Sequence, residues 1–349
     1  MLKVEKPILP INREQDDLFI CATSFEDRCR RATELLSKEF RTKKALVFFY
    51  RDTINVSYAK KNVNIINDFL ERYTEDLYTI RCDFRNPYSL IAELDRIIKE
   101  GRLNLQNNRF ITIDIACFTK LHLLLLLKYL SQKTKAVFRF IYTEPLTYGT
   151  IEGKDLSYGF LGLTTINYKL DSNTINKKNE DCYAFFLGHE SIRTYQAFKS
   201  LEPERYWVLF GSPGFSMQFE AYSKEANESL IEEAKSFNRY EENSTKDPYL
   251  VSESLNEISK REKDVANLYF IPTGTKIQAL GIFMFSQKIT QFNIIISYPM
   301  PLRYEERSFS KGIGDSWIAF WQNIVPVTQE EGYNLGLFSE KISRAELYE

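Results

Sequence analysis

A chain of 349 residues, 44% hydrophobic and 27% charged, is long enough for two domains and apolar enough for large cores, which excludes global disorder. Its net charge of −1 excludes a protein that coats nucleic acid by bulk electrostatics, because such binding needs clustered, unbalanced Lys and Arg.

The first part of the chain alternates apolar runs with amphipathic ones. Strands are expected at 18–22, 45–50, 78–82, 110–113 and 136–142, each apolar enough for a buried parallel strand. Between them the spacing predicts helices at 26–39, 60–73, 87–100 and 119–131. The third opens with Pro87 and stops at Gly101, and the last is apolar nearly all round. Residues 147–180 are rich in Gly, Thr, Asn and Lys, with strand-like stretches at 158–163 and 165–170 that read as a hairpin. The alternation then resumes. Strands are expected at 183–187, 205–210, 249–251, 268–271 and 293–297, with helices at 191–200, 223–237, 254–264 and 276–287. After Pro301 the pattern fades, and the last stretch, with Trp317 and Trp321, is expected to wrap back onto the core.

The chain also says nearly the same thing twice. Asn267-Leu-Tyr-Phe-Ile-Pro-Thr-Gly-Thr-Lys276 and Arg109-Phe-Ile-Thr-Ile-Asp-Ile-Ala-Cys-Phe-Thr-Lys120 are each a strand, a short loop ending in Thr-Lys, and a buried helix. Upstream lie two further matching phrases, Asn86-Pro87-Tyr88 and Asp247-Pro248-Tyr249. The expected fold class is α/β: two pseudo-repeated Rossmann-like halves with mostly parallel sheets flanked by helices. The expected division is 1–146, a joining stretch 147–180, 181–300 and an extension 301–349.

The five cysteines, Cys21, Cys29, Cys82, Cys117 and Cys182, are odd in number and form no CxxC pair, so reduced thiols in the cytoplasm are expected. No metal site or cofactor is expected, since His122 and His189 are the only histidines and neither has ligand spacing to the cysteines. Residues 1–17 lack an apolar signal-peptide core, and the run 121–127 falls short of the roughly 20 residues a membrane span needs.

In open parallel sheets, ligands bind beyond the carboxyl ends of the strands. Four loops there carry polar groups. Ser24 and Glu26 follow the first strand, where hydroxyls and amides cap a helix or bind an anion. Asp114, Thr119 and Lys120 follow the fourth, where an acid suits a ribose contact or acid–base catalysis and equally a cap or an ion pair with Lys120. Gly188, His189 and Glu190 follow the first strand of the second half; His189 titrates near neutral pH. Thr273-Gly274-Thr275-Lys276 is the sharpest: glycine permits close approach, threonines offer hydroxyls, and lysine brings a charge to a helix N-terminus. Lysine there opposes the helix dipole by roughly 0.3–1 kcal/mol, which a bound anion would offset. Ser212, in the turn Gly211-Ser-Pro-Gly214, is a weaker candidate for the same ligand.

The strand–Thr-Gly-Thr-Lys–helix passage resembles the Gly-Thr-Lys loop of CRISPR-associated Rossmann-fold (CARF) sensor domains, and the doubled organisation is similar to the SAVED domains of bacterial anti-phage signalling. The resemblance implies a nucleotide or cyclic oligonucleotide ligand facing Thr273, Gly274, Thr275 and Lys276, with Thr119 and Lys120 as counterparts. It implies an antiviral sensor. No nuclease motif, helix-turn-helix or zinc ribbon accompanies it, so a separate effector or partner protein is expected. The alternatives are a nucleotide-processing enzyme, a phosphodiesterase or N-glycosidase, using Glu26, Asp114 and His189, and a subunit that binds only protein.

Overall fold

The computed structural model describes residues 1–50, 56–148, 157–170, 178–189, 191–304 and 309–322. Glu190 and most of the extension 301–349 lie outside them. In chain order the elements are β1 (Leu2–Lys3), β2 (Asp16–Ala22), a 3-10 turn (Asp27–Arg30) running into α1 (Arg31–Glu34), β3 (Thr42–Tyr50), α2 (Val56–Leu70), β4 (Thr74–Cys82), α3 (Tyr88–Lys99), β5 (Phe110–Asp114), α4 (Lys120–Lys133) and β6 (Val137–Thr143). There follow β7 (Thr147–Tyr148), β8 (Ser157–Tyr158), β9 (Gly162–Lys169), β10 (Lys178–Leu187), α5 (Ser191–Leu201), β11 (Tyr206–Gly211), α6 (Met217–Ala226), α7 (Glu228–Ser236), β12 (Tyr240–Asn243), α8 (Pro248–Arg261), β13 (Val265–Pro272), α9 (Lys276–Lys288), β14 (Asn293–Met300), β15 (Arg303–Tyr304), β16 (Ser310–Lys311) and β17 (Ser316–Gln322).

The strands build two large sheets. The seven-stranded one has the order β1-β17-β6-β5-β2-β3-β4, the six-stranded one β12-β11-β10-β13-β14-β9. In the first, β2 to β6 are parallel and, counted along the chain, lie in the order 3-2-1-4-5; β17 runs antiparallel beside the fifth. In the second, β10 to β14 repeat the order 3-2-1-4-5, and β9 runs antiparallel beside the fifth. The fold is thus α/β with two Rossmann-like halves. The matching phrases fall on equivalent elements, α3 with α8 and the β5–α4 passage with β13–α9. By contact the chain forms two compact units. One holds the first sheet; the other holds the second together with Thr119–Lys128 and Thr147–Lys311.

The central strands bury both faces, which explains their unbroken apolar runs. Leu18, Phe19, Ile20 and Cys21 of β2 are fully buried. Along α9 every residue from Ile277 to Ser286 is buried, and its large side chains contribute about 1.5–3 kcal/mol each. None of the five cysteines forms a disulfide, and all are buried. No helix of the described residues is long and apolar enough to cross a membrane.

Polar residues anchor β2. Asp16 accepts from Arg139 Nη2 at 2.9 Å and Thr112 Oγ1 at 2.6 Å. Asp17 accepts from Lys43 Nζ at 2.6 Å and from the amides of Arg109 and Phe110. Burial alone would raise the Asp17 carboxyl, but the Lys43 and amide hydrogen bonds outweigh it, and the net position is below the usual carboxylate range. A lowered folded pKa gives stability that is present above the unfolded value, about 3.9, and is lost as pH falls through the folded one. Urea titrations of the wild type and Asp17→Asn are therefore expected to differ above pH 4 and converge below it; a constant difference down to pH 2 would refute the assignment.

The structure corrects four expectations about elements. The helix at 26–39 is only a 3-10 turn and one α turn, because Ile8 and Ser37 exchange backbone bonds with Leu35 and Ile8 and pull the chain into a bridge. The helix at 223–237 is two helices broken at Asn227, whose side-chain amide takes the Ser223 carbonyl and so competes with the backbone ladder. The strand at 249–251 is the start of α8: Asp247 accepts the Tyr249 amide and Pro248 occupies the first turn. The hairpin at 158–170 is absent. Residues 162–169 form the single strand β9 against β14, and nothing at 163–165 supplies the positive φ of a tight turn.

Candidate functional site

The 3-2-1-4-5 order makes connections diverge between the first and fourth strands, which in the second sheet are β10 and β13. Gly188 and His189 follow β10, and Thr273–Lys276 follow β13. The two loops touch: a Cβ on Gly188 would stand 2.5 Å from the Thr273 carbonyl oxygen and 3.3 Å from Gly274 Cα. Only glycine allows that approach.

Both threonines of the repeated Thr-Lys pairs prove to be helix caps. Thr275 Oγ1 accepts from the Gln278 amide at 3.1 Å, and Gln278 Oε1 accepts from the Thr275 amide at 2.7 Å, a complete capping box. Thr119 Oγ1 accepts from the His122 amide at 3.2 Å and lies 2.6 Å from its Nδ1. Thr273 is buried, its hydroxyl bonded to the Phe186 carbonyl and to Thr194 at 2.9 Å, so it braces the loop from inside. Lys120 Nζ donates to the Thr273 and Gly274 carbonyls at 3.3 and 2.8 Å, and so clamps the loop. Lys276 stands half-buried at the first position of α9, a helix with no acid in its first turn. The positive helix end and a cation therefore coincide there without a neighbouring carboxylate on that helix.

His189 stands in an aromatic setting. Its Nδ1 is 2.8 Å from Ser223 Oγ, and the rings of Tyr148, Phe219 and Tyr222 lie 4.8, 5.5 and 5.8 Å away. Ser212 donates to Glu220 Oε1 at 2.8 Å, while Gly214 N–H donates to Oε2 at 2.7 Å. Glu220 thus already takes the place an anion would hold in that turn.

Three side chains at these strand ends were not singled out from sequence. Asn227 Nδ2 donates to the Gly188 carbonyl at 2.9 Å, but its Oδ1 is buried without a partner. Gln278 Nε2 and both amide atoms of Asn243 are also buried without partners. Each such atom costs about 1–3 kcal/mol. The Thr275-x-x-Gln278 spacing of a capping box could have announced Gln278; nothing local to Asn243 or Asn227 announces them.

The first sheet has its own switch point, between β2 and β5, where Ser24, Glu26 and Asp114 lie. Glu26 accepts a two-pronged bond from Arg28, Nε at 2.9 Å and Nη2 at 3.1 Å, and Arg28 Nη1 reaches the Thr143 carbonyl at 3.0 Å. Cys117 Sγ lies 3.8 Å from Glu26 Oε1. Burial pushes the Cys117 thiol well above its usual range, which denies it a thiolate nucleophile's role. Ser24 Oγ accepts from the Glu26 amide, and its carbonyl accepts from Asn62 at 2.7 Å. Asp114 Oδ1 accepts from the Ala116 amide at 2.9 Å. Glu26 and Asp114 thus share one sheet end, whereas His189 belongs to the other unit. Among the described residues, no group of three His, Cys, Asp or Glu could hold a metal ion.

No family model matches the chain, and no curated protein matches it. Two solved structures are similar in outline. One is a functionally unknown protein, PA1789, from Pseudomonas aeruginosa PAO1, at 10% identity and TM-score 0.23, covering 82% of this chain and 93% of that one. The other is the cytoplasmic domain of a prokaryotic cation chloride cotransporter, at 8% identity and TM-score 0.24, covering 81% and 95%. At TM-scores this low neither bears on what this chain does.

Proposed function

We propose that this chain is a cytoplasmic nucleotide sensor of a prokaryotic anti-phage system, binding a nucleotide or cyclic oligonucleotide and reporting to a separate effector. The observation that carries the reading is the placement of Gly274–Lys276 at the switch point of the second sheet, on a positive helix end whose first turn holds a lysine and no acid. That is the electrostatic setting a phosphate group favours. The doubled 3-2-1-4-5 order supports a relation to the CARF and SAVED sensors. The bidentate hold of Arg28 on Glu26 speaks against Glu26 as a general base.

A thermal-shift screen against mono-, di- and cyclic oligonucleotides, followed by chromatography of each mixture, tests this. A ligand at 100 times its Kd adds about 2.7 kcal/mol, a shift of several degrees. A shift with the nucleotide intact is the expected result; a cleaved nucleotide would make the chain an enzyme. Lys276→Ala is expected to weaken binding about tenfold, roughly 1.4 kcal/mol. Unchanged affinity for every nucleotide would remove Lys276 from the site.

A further inference from the structure

We propose that Asn243 and Gln278 form a subsite that reads the edge of a nucleobase, behind the phosphate-binding end of α9. The inference rests on the nucleotide reading above and adds what the site does with the base.

Asn243 ends β12 in register with Gly211, which ends β11. Residues in register on neighbouring parallel strands share a face of the sheet. On that face a Cβ at Gly211 would stand 3.5 Å from Gln278 Nε2. The space a Gly211 side chain would take is instead filled by the Thr245 methyl, 2.7 Å from that Cβ, and by the Gln278 amide, with Asn243 on the adjacent strand. Gln278 cannot rotate at will, since its Oε1 is held by the Thr275 amide. Its Nε2 is therefore presented as a fixed donor. Asn243 adds a donor and an acceptor, and none of the three atoms has a partner although Gln278 and Asn243 are 1% and 2% exposed. Two donors and an acceptor on planar carboxamides complement the acceptor–donor edges of a nucleobase, the means by which Asn and Gln read bases elsewhere. The capping box ties the base-reading amide to the phosphate-binding helix end within one turn, so one ligand can span both.

The Ser212–Gly214 turn adjoins this face, the Ser212 amide donating to the Asn243 carbonyl at 2.9 Å. It is held by Glu220, through Ser212 Oγ and the Gly214 amide, and by Thr245 Oγ1, which donates to the Pro213 carbonyl at 2.5 Å. On this proposal a base reaches Asn243 and Gln278 by displacing the Thr245 methyl, which its own hydroxyl ties to the Pro213 carbonyl of that turn.

The test compares ribose 5-phosphate with the adenine, guanine, cytosine and uracil 5′-mononucleotides and 3′,5′-cyclic dinucleotides, on the full chain, by calorimetry and thermal shift. At least one base-bearing ligand is expected to bind tenfold or more tightly than ribose 5-phosphate. Asn243→Leu, close in volume, removes the unpaired amide; it is expected to abolish that preference, leave ribose 5-phosphate binding unchanged, and keep the melting temperature of the ligand-free protein the same or higher. Gln278→Glu keeps the cap acceptor and removes the donor, and is expected to lose the preference too. Ribose 5-phosphate binding as tightly as every nucleotide would overturn the base subsite while leaving the phosphate site standing. The same holds if neither substitution alters selectivity, which would mean the amides hold buried water only. Binding of none of these ligands would overturn both readings.

Discussion

Arg28→Met is expected to destabilise the protein by about 3–5 kcal/mol, read as a fall in the urea midpoint without a change in slope. Arg28 is 1% exposed and Glu26 5%. Their pair closes the carboxyl end of β2 through two bonds from Arg28 to Glu26, and a third goes to the Thr143 carbonyl at the end of β6. Removing the guanidinium leaves a buried carboxylate without its counter-charge, and that uncompensated desolvation sets the size of the effect. The partner experiment is Glu26→Gln with Arg28→Met. Removing both charges together is expected to recover part of the loss, because the pair's own attraction largely offsets its desolvation. If Arg28→Met costs less than 1 kcal/mol, the pair is not the anchor described. If the double variant is no better than Arg28→Met, the loss is one of packing rather than charge.

Gly188→Ala is expected to cost about 1–3 kcal/mol and to reduce nucleotide affinity. The new methyl would stand 2.5 Å from a backbone oxygen, that of Thr273, and 3.3 Å from a backbone carbon, so no side-chain rotation relieves it. Either the end of β10 or the Thr273–Thr275 loop must move. The loop is held from the far side by Lys120 and from within by Thr194, so its displacement would disturb the start of α9. Urea denaturation and the thermal-shift response to nucleotide read the two consequences separately. An unchanged midpoint with unchanged binding would show that the loops do not depend on each other.

Much of the fold was legible in the chain because its signals are local. The run 18–22 reads as a strand buried on both faces, and the run 276–287 as a buried helix. The repeated Thr-Lys pairs mark equivalent helix starts, and both threonine hydroxyls cap them. Expectations failed where a distant segment competed. The bridge from Ile8 ended a helix at 26–39, and the Asn227 amide broke one at 223–237. At 249–251 the signals were local but misread: Asp247-Pro248 matches Asn86-Pro87, and both begin helices.

The candidate site divides the same way. That a polar Thr-Gly-Thr-Lys loop follows a buried strand and opens a helix was determined by the sequence alone, since periodicity, turn residues and caps act within a few positions of one another. Which loops meet at the switch point was decided only by the tertiary structure. Strand order is set by pairing, so Lys120 finds the Gly274 carbonyl 154 positions away and Arg28 finds Thr143 115 positions away. The unpartnered amides of Asn243 and Gln278 belong to that second kind: whether a buried amide finds a partner depends on every element packed around it, and no stretch of sequence carries that information.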